Sequence, residues 1–298
     1  MNKTKLGYMF AILDMVTYGF LPIAAHYFVA TIDPLLFGGL AMLIGSIPLL
    51  GILQKQQKIQ DMFRKDLFKP LLAIAVILNC STIVFLLGTK ITSSINTGLL
   101  IQTEPIYAIF FGYIFLKEIV RFPQVVATLL MIAGACVVVF KGAFALNIGD
   151  LLILSAPIFN QTAHIIAMKV MKTKTNAMVL SGARLFFGGI LLTIIAILIH
   201  PSSLLQLTDI RTVIAIIFFG IIFRALDVTL WYQALQRIPL SKASALIPLA
   251  AAISFFGSIV ILKEIPDVQQ YIGLILIAGG LLWFSVLHLK NRGKKRTN

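Results

Sequence analysis

Long apolar runs, each of roughly twenty residues and parted by short polar links, fill almost the whole chain. Ten can be marked out: residues 6–28, 34–53, 70–88, 94–116, 122–141, 149–169, 176–199, 213–234, 240–262 and 268–288. Runs of that length suit helices rising 1.5 Å per residue across about 30 Å of hydrocarbon. One stretch organises the rest. Ser93 to Glu118 reads SSINTGLLIQTEPIYAIFFGYIFLKE: a polar start, one long apolar helix with Glu104-Pro105 inside it, and a Leu-Lys-Glu end. The same form returns from Pro239 to Glu264 as PLSKASALIPLAAAISFFGSIVILKE. A second echo follows each copy, Ile132-Ala133-Gly134 and Ile277-Ala278-Gly279, in register once one residue is dropped. A third pairs Phe37–Leu50 (FGGLAMLIGSIPLL) with Leu180–Thr193 (LSGARLFFGGILLT).

Repeats in an ordered series within an apolar chain mark a duplicated transporter architecture. Chance similarity between leucine-rich helices is the competing reading, and the matched order of spans 2, 4 and 5 with 7, 9 and 10 weighs against it. Each half holds five spans, an odd number, so the second copy must enter the membrane upside down. The expected fold is an all-α membrane protein of ten transmembrane helices, built as two inverted five-helix repeats. The expected boundaries are 1–143 and 144–290, with a basic tail over 291–298.

Composition agrees. The chain is 59% apolar and 12% charged, with mean hydropathy +0.98. No soluble domain of 298 residues could hide that much apolar surface. Lys3 and Lys5 lead into an apolar run long enough to span, with no small-residue cleavage box, so this reads as a first span rather than a cleaved leader. Cys80 and Cys136 lie in apolar runs and imply no disulfide framework.

The net charge of +14 brings nucleic acid to mind, but its placement points to topology. With the N-terminus in the cytoplasm, 19 of the 25 Lys and Arg residues fall on the inner side and 4 on the outer, leaving Arg184 and Arg224 inside spans. That asymmetry follows the positive-inside rule and predicts a multi-pass cytoplasmic membrane protein with both termini cytoplasmic. The tail from Lys290 to Arg296 then anchors at anionic lipid heads, with no nucleic-acid partner implied.

Ionisable residues deep in a span cost about 2.5–3.5 kcal/mol each, so each needs a partner or a task. Asp14, Glu104, Arg184, Arg224 and Asp227 are of this kind. Arg224, Asp227 and Trp231 are spaced i, i+3, i+7 and so share one face of a regular helix. They could form a polar and aromatic cavity wall, with Trp231 stacking on a ring or cation. The alternative is an Arg224–Asp227 pair that only neutralises charge. Glu104 shares a stripe with Thr97 at i−7 and sits beside a proline, suited to binding a cationic group or a proton; an ion pair with Arg184 or Arg224 is the structural reading. Tyr18, Asn79, Thr97, Asn160 and Gln161 form a second tier of cavity candidates. Glu118 and Glu264 read as helix-end caps, and the small-residue stripes of spans 2 and 7 as packing surfaces. Three buried carboxylates against two arginines favour a substrate with an amino or cationic group.

The ten spans in two repeats, Tyr18-Gly19 in the first span, Glu104-Pro105 before Leu116-Lys117-Glu118, and the second Leu262-Lys263-Glu264 together resemble the drug/metabolite transporter superfamily of the EamA type. The resemblance covers nearly the whole chain. It implies a secondary carrier, since members move small metabolites, amino acids, nucleotide sugars or toxic organic cations, many by exchange or proton coupling. The chain departs from the pattern at Ala251, where the second copy lacks the proline matching Pro105, and at Ala41, where the first copy lacks the arginine present as Arg184. The expected function is alternating-access transport of a small polar metabolite, an amino acid or related amine, with protons or a counter-substrate as coupling partner and membrane lipid around it. A multidrug or toxic-cation exporter of the same fold is the alternative. No His-Glu-x-x-His or Gly-x-Ser-x-Gly motif and no metal-ligand spacing supports an enzyme or a cofactor. A passive channel would want rings of like groups rather than single residues of mixed sign.

Overall fold

The chain is described by a computed structural model over residues 3–117, 120, 122–140, 147–171, 176–238, 243 and 246–294. Polar residues between the apolar runs start the helices. Asp33 Oδ1 accepts from the backbone N–H groups of Leu35 and Leu36 and opens α2 (Pro34–Lys55) behind Pro34. Ser93, Asn176 and Asp209 do the same for α4 (Ser94–Ile101), α8 (Ala177–Ile199) and α9 (Ile210–Gly220). The remaining elements are α1 (Lys3–Val29), α3 (Lys65–Ile91), α5 (Glu104–Leu116), α6 (Phe122–Val139), α7 (Ile148–Met171), α10 (Asp227–Leu235), α11 (Ile247–Leu262) and α12 (Val268–Lys294). Short 3₁₀ helices cover Ile59–Phe63 and Pro201–Thr208.

Among the described residues, eight stretches are long and apolar enough to cross a membrane, and two shorter apolar helices, Ile247–Leu262 and Val268–Phe284, fall where spans 9 and 10 are expected. The protein is therefore an all-helical, multi-pass membrane protein.

Two expected spans are not single regular helices. The organising helix breaks after Ile101, and α5 restarts at Glu104. Pro105 lacks an N–H and its ring crowds the carbonyl four residues back, so the ladder cannot run through. The Glu104–Thr97 stripe assumed an unbroken helix, whereas Thr97 belongs to α4 and Glu104 opens α5. Span 8 carries a π turn over Ile221–Leu226 between α9 and α10. Its wider i→i+5 ring shifts the helix phase, so Arg224 no longer keeps the i, i+3 relation to Asp227 that a regular helix gives.

The chain divides into two compact units that each draw on both halves of the sequence. The first comprises 1–24, 91–154 and 229–298; the second comprises 25–90 and 155–228. In the first unit α6 packs along α12, and the two Ile-Ala-Gly echoes meet there: a Cβ on Gly134 would lie 2.8 Å from Ile277 Cγ1 and 2.9 Å from Leu276 Cβ. In the second, α2 packs along α8. Gly39 lies against the backbone of Thr193, and Gly189 against Leu43 and the Gly39 carbonyl. The repeated small-residue stripes are thus packing surfaces turned toward each other. Phe28, Phe37, Phe219 and Phe223 fill the adjoining core of that unit, with the Phe37 and Phe219 rings 4.7 Å apart.

Both Leu-Lys-Glu ends share a feature. Lys117 and Lys263 have φ of 54° and 58°, the left-handed region, and their backbone N–H groups close α5 on Gly112 O and α11 on Ser258 O. Glu264 then caps another helix: its two oxygens accept from Ser94 N at 2.7 Å and Ile95 N at 3.0 Å, at the positive end of α4. The matching Glu118, the start of span 9 at Pro239 and the end of the basic tail lie outside the described residues.

Candidate functional site

The second unit brings together three of the five ionisable residues singled out by depth. Arg184 sits on α8, Arg224 on the π turn and Asp227 at the start of α10. Both arginines lie within electrostatic reach of Asp227, and Arg184 within reach of Arg224. Arg224 and Asp227 are each half-buried. Glycines set the position of Arg224. A Cβ on Gly45 of α2 would fall 2.6 Å from Arg224 Cβ and 2.7 Å from Gly220 O, so only a glycine lets α2 come this close to the π turn. The guanidinium lies over the Phe219 ring, 5.6 Å from its centre.

The neutralising-pair reading of Arg224 and Asp227 requires a direct contact. Among the described residues no hydrogen bond or ion pair joins them, and the buried Arg224 Nε has no hydrogen-bond partner. Asn79, 2% exposed on α3, belongs to the same unit. Its Nδ2 donates to Gly188 O at 2.9 Å, one helical turn along α8 from Arg184, while its Oδ1 is buried with no partner among the described residues. Arg184, Arg224 and Asp227 thus share the unit with a buried donor, Arg224 Nε, and a buried acceptor, Asn79 Oδ1, that have no partner among the described residues. Unused polar atoms in a packed interior are costly unless something else engages them. Asn160 and Gln161 lie half-buried on α7, also in this unit.

The other candidates belong to the first unit. Asp14 on α1 is 3% exposed. Tyr18 lies one turn further along the same helix, half-buried. Glu104 opens α5 and is half-buried. Thr97 is fully buried, and its hydroxyl donates to Ser93 O within its own helix. Trp231 packs on an apolar cluster of Ala11, Ala234, Ile238 and Ala243. Trp231 follows Asp227 by four residues on the same helix, α10.

Sequence reasoning missed a buried polar network in the first unit. Asp150, 1% exposed in the first turn of α7, accepts from Thr92 Oγ1 at 2.5 Å and from Asn96 Nδ2 at 3.0 and 3.1 Å. Asn96 Oδ1 in turn accepts from Gln270 Nε2 at 2.7 Å. Gln270 also forms a capping box with Asp267: Asp267 N donates to its Oε1 at 3.0 Å, and its own N–H donates to Asp267 Oδ1 at 2.8 Å. The network ties together the N-terminal turns of α4, α7 and α12. The Asp267-x-x-Gln270 spacing was a readable capping signal; the link to Asn96 and Asp150 had no local one.

Among the described residues, eight helical stretches long and apolar enough to cross a membrane define an integral membrane protein. The chain belongs to the EamA-like transporter family, whose profile matches residues 5–140 and again residues 147–286. Among curated proteins it is similar to uncharacterized transporters. One from Methanothermobacter thermautotrophicus is 24% identical over 66% of this chain and 58% of that protein. YoaV of Bacillus subtilis is 24% identical over 94% of this chain and 96% of its own, and one from Clostridium kluyveri is 22% identical over 99% and 98%. A protein crystal structure of 17% sequence identity superposes over 97% of this chain and 98% of that one, with a TM-score of 0.69, which shows a shared fold.

Proposed function

We propose that this protein is a secondary-active carrier that moves a small polar metabolite, an amino acid or a related amine, across a cytoplasmic membrane by alternating access. In this reading ten spans form two inverted repeats over 1–143 and 144–290, with both termini cytoplasmic. The bias of Lys and Arg toward one side of the spans supports the orientation, and the double family match over the two halves supports the repeat. The observation that carries the reading is the group of Arg184, Arg224 and Asp227, half-buried in one unit and joined to one another by no direct contact among the described residues. Charges kept away from lipid without being used up by each other are a substrate or ion site by default. Single groups of mixed sign also suit an occluding carrier better than an open pore. Protons or a counter-substrate provide the coupling, with Asp14, Glu104 and Asp227 as the carboxylates that can exchange a proton.

The test is flux in proteoliposomes holding the purified full chain. Labelled amino acids and amines should accumulate when a pH gradient or internal substrate is supplied, and combined Glu104→Gln and Asp227→Asn substitutions should abolish accumulation. Undiminished transport by the double variant would show that these carboxylates are not the coupling groups. Flux equal to that of protein-free liposomes for every solute would remove the carrier reading.

A further inference from the structure

We propose that the link between α2 and α3, in the second unit, is a binding site for the headgroup of an anionic phospholipid. The proposal is independent of what the protein transports.

Position comes first. α2 and α3 are each long and apolar enough to cross a membrane, so the short link between their ends, residues 56–64, lies at the level of the lipid headgroups. α2 closes on Gln57, whose φ of 55° turns the chain back while the Lys58 N–H donates to Leu53 O at 2.9 Å. The 3₁₀ helix Ile59–Phe63 follows. Buried Met62 and half-buried Ile59 seat it on an apolar cluster with Leu53, Leu67 and Leu71. The link is thus fixed on the core rather than loose.

Charge comes second. Residues 54–69 carry Lys55, Lys58, Arg64, Lys65 and Lys69 against Asp61 and Asp66, an excess of three positive charges. One cation answers both carboxylates. Arg64 donates to Asp66 through Nε at 3.2 Å and Nη2 at 2.7 Å, and its Nη1 lies 3.7 Å from Asp61 Oδ1. The four lysines are exposed, and none has an ion-pair partner among the described residues. The unit's remaining carboxylates lie elsewhere: Asp33 caps the opposite end of α2, Asp209 opens α9 three residues beyond the Gln206 that binds Asp33 N, and Asp227 falls within span 8.

Shape comes third. A cleft of about 360 Å³ in the link is lined by Gln54, Gln57, Ile59 and Gln60. Carboxamides offer donors to phosphate oxygens and acceptors to headgroup hydroxyls, and Lys55 and Lys58 adjoin these glutamines in sequence. At the other end of the 3₁₀ helix, about 8 Å away at a rise of about 2 Å per residue, Phe63 is 57% exposed. Its ring and that of Phe68 both meet Phe187 edge-on, at 5.8 and 5.6 Å. Cationic, hydrogen-bonding and aromatic surface therefore lie together at one depth. An anionic phospholipid has a complement for each: phosphate, headgroup hydroxyls and the upper acyl chain. A free phosphate would leave the aromatic surface unused.

The experiment titrates the full chain in mild detergent with dioctanoyl phosphatidylglycerol, read by the shift in apparent melting temperature. Dioctanoyl phosphatidylcholine and glycerol phosphate are titrated alongside. Phosphatidylglycerol should raise the melting temperature far more than either. A lysine near an anionic headgroup is worth about 5-fold in affinity, so joint Lys55→Gln and Lys58→Gln substitution should weaken binding about 25-fold. Joint replacement of the same two by arginine should retain binding. Phe63→Ser should weaken it with every charge in place. Lys90→Gln, at the opposite end of α3, should leave it unchanged. An equal shift with phosphatidylcholine, or an equal loss in Lys90→Gln, would overturn the site, since neither charge nor place would then matter. Glycerol phosphate binding as tightly as the lipid would overturn the lipid assignment. So would undiminished binding in Phe63→Ser and the glutamine pair.

Discussion

Asn96 offers a severe test of how the first unit is held together. It is 2% exposed, and its carboxamide serves two partners: Nδ2 reaches both Asp150 oxygens at 3.0 and 3.1 Å, and Oδ1 accepts from Gln270 Nε2 at 2.7 Å. Asn96→Ala removes a donor from a carboxylate that is 1% exposed and strips the acceptor from an amide that is 3% exposed. A hydrogen bond to a buried charge is worth about 1.5–3 kcal/mol and a neutral one about 1 kcal/mol, so the loss should be roughly 3 kcal/mol. At about 2 °C per kcal/mol for a chain of this size, the apparent melting temperature in detergent should fall by about 6 °C. Gln270→Ala removes no donor from the carboxylate and should cost about half as much. The sharper check is a cycle. On an Asp150→Asn background no anion needs the donor, so Asn96→Ala should cost about 1.5 kcal/mol, roughly half its effect in the wild type. Melting within 1 °C of wild type for Asn96→Ala, or an unchanged loss on the Asp150→Asn background, would refute the claim that Asn96 stabilises a buried anion.

Two further outcomes follow from the helix packing. A Cβ on Gly98 would collide with the Ser254 side chain of α11, its Cβ lying only 2.7 Å away, so Gly98→Ala should lower the melting temperature and Ser254→Gly should partly restore it. Failure of the second change to rescue the first would show that the clash is not with Ser254. Lys263 holds a left-handed φ of 58° at the end of α11, where glycine is unstrained, so Lys263→Gly should stabilise the protein by up to about 1 kcal/mol, read as a small rise in melting temperature.

The long apolar helices and the membrane setting were legible along the chain, and the family profile matches each half in turn. The break at Pro105 was legible in principle, since the proline was visible inside the run; extending the helix through it placed Thr97 and Glu104 on one helix where the fold has two. The π turn over Ile221–Leu226 had no comparable mark. Its cause is tertiary: α2 packs on that turn through Gly45 and Gly220, from a part of the sequence far away. The Asp150 network was missed because its members fall near the ends of the apolar runs. Polar residues near a helix terminus look the same in sequence whether they face water or one another.

By itself the sequence determined that lipid is the solvent, where the helices run and that the chain is duplicated. Those properties depend on local hydropathy and on order along the chain, since every backbone group in a bilayer must be satisfied within its own helix. Only the tertiary structure decided which charges share a unit. Helices apolar on nearly every side give no amphipathic stripe to say what each face meets. The partners of Arg224, Asp150 and Asn96 come from segments tens of residues away.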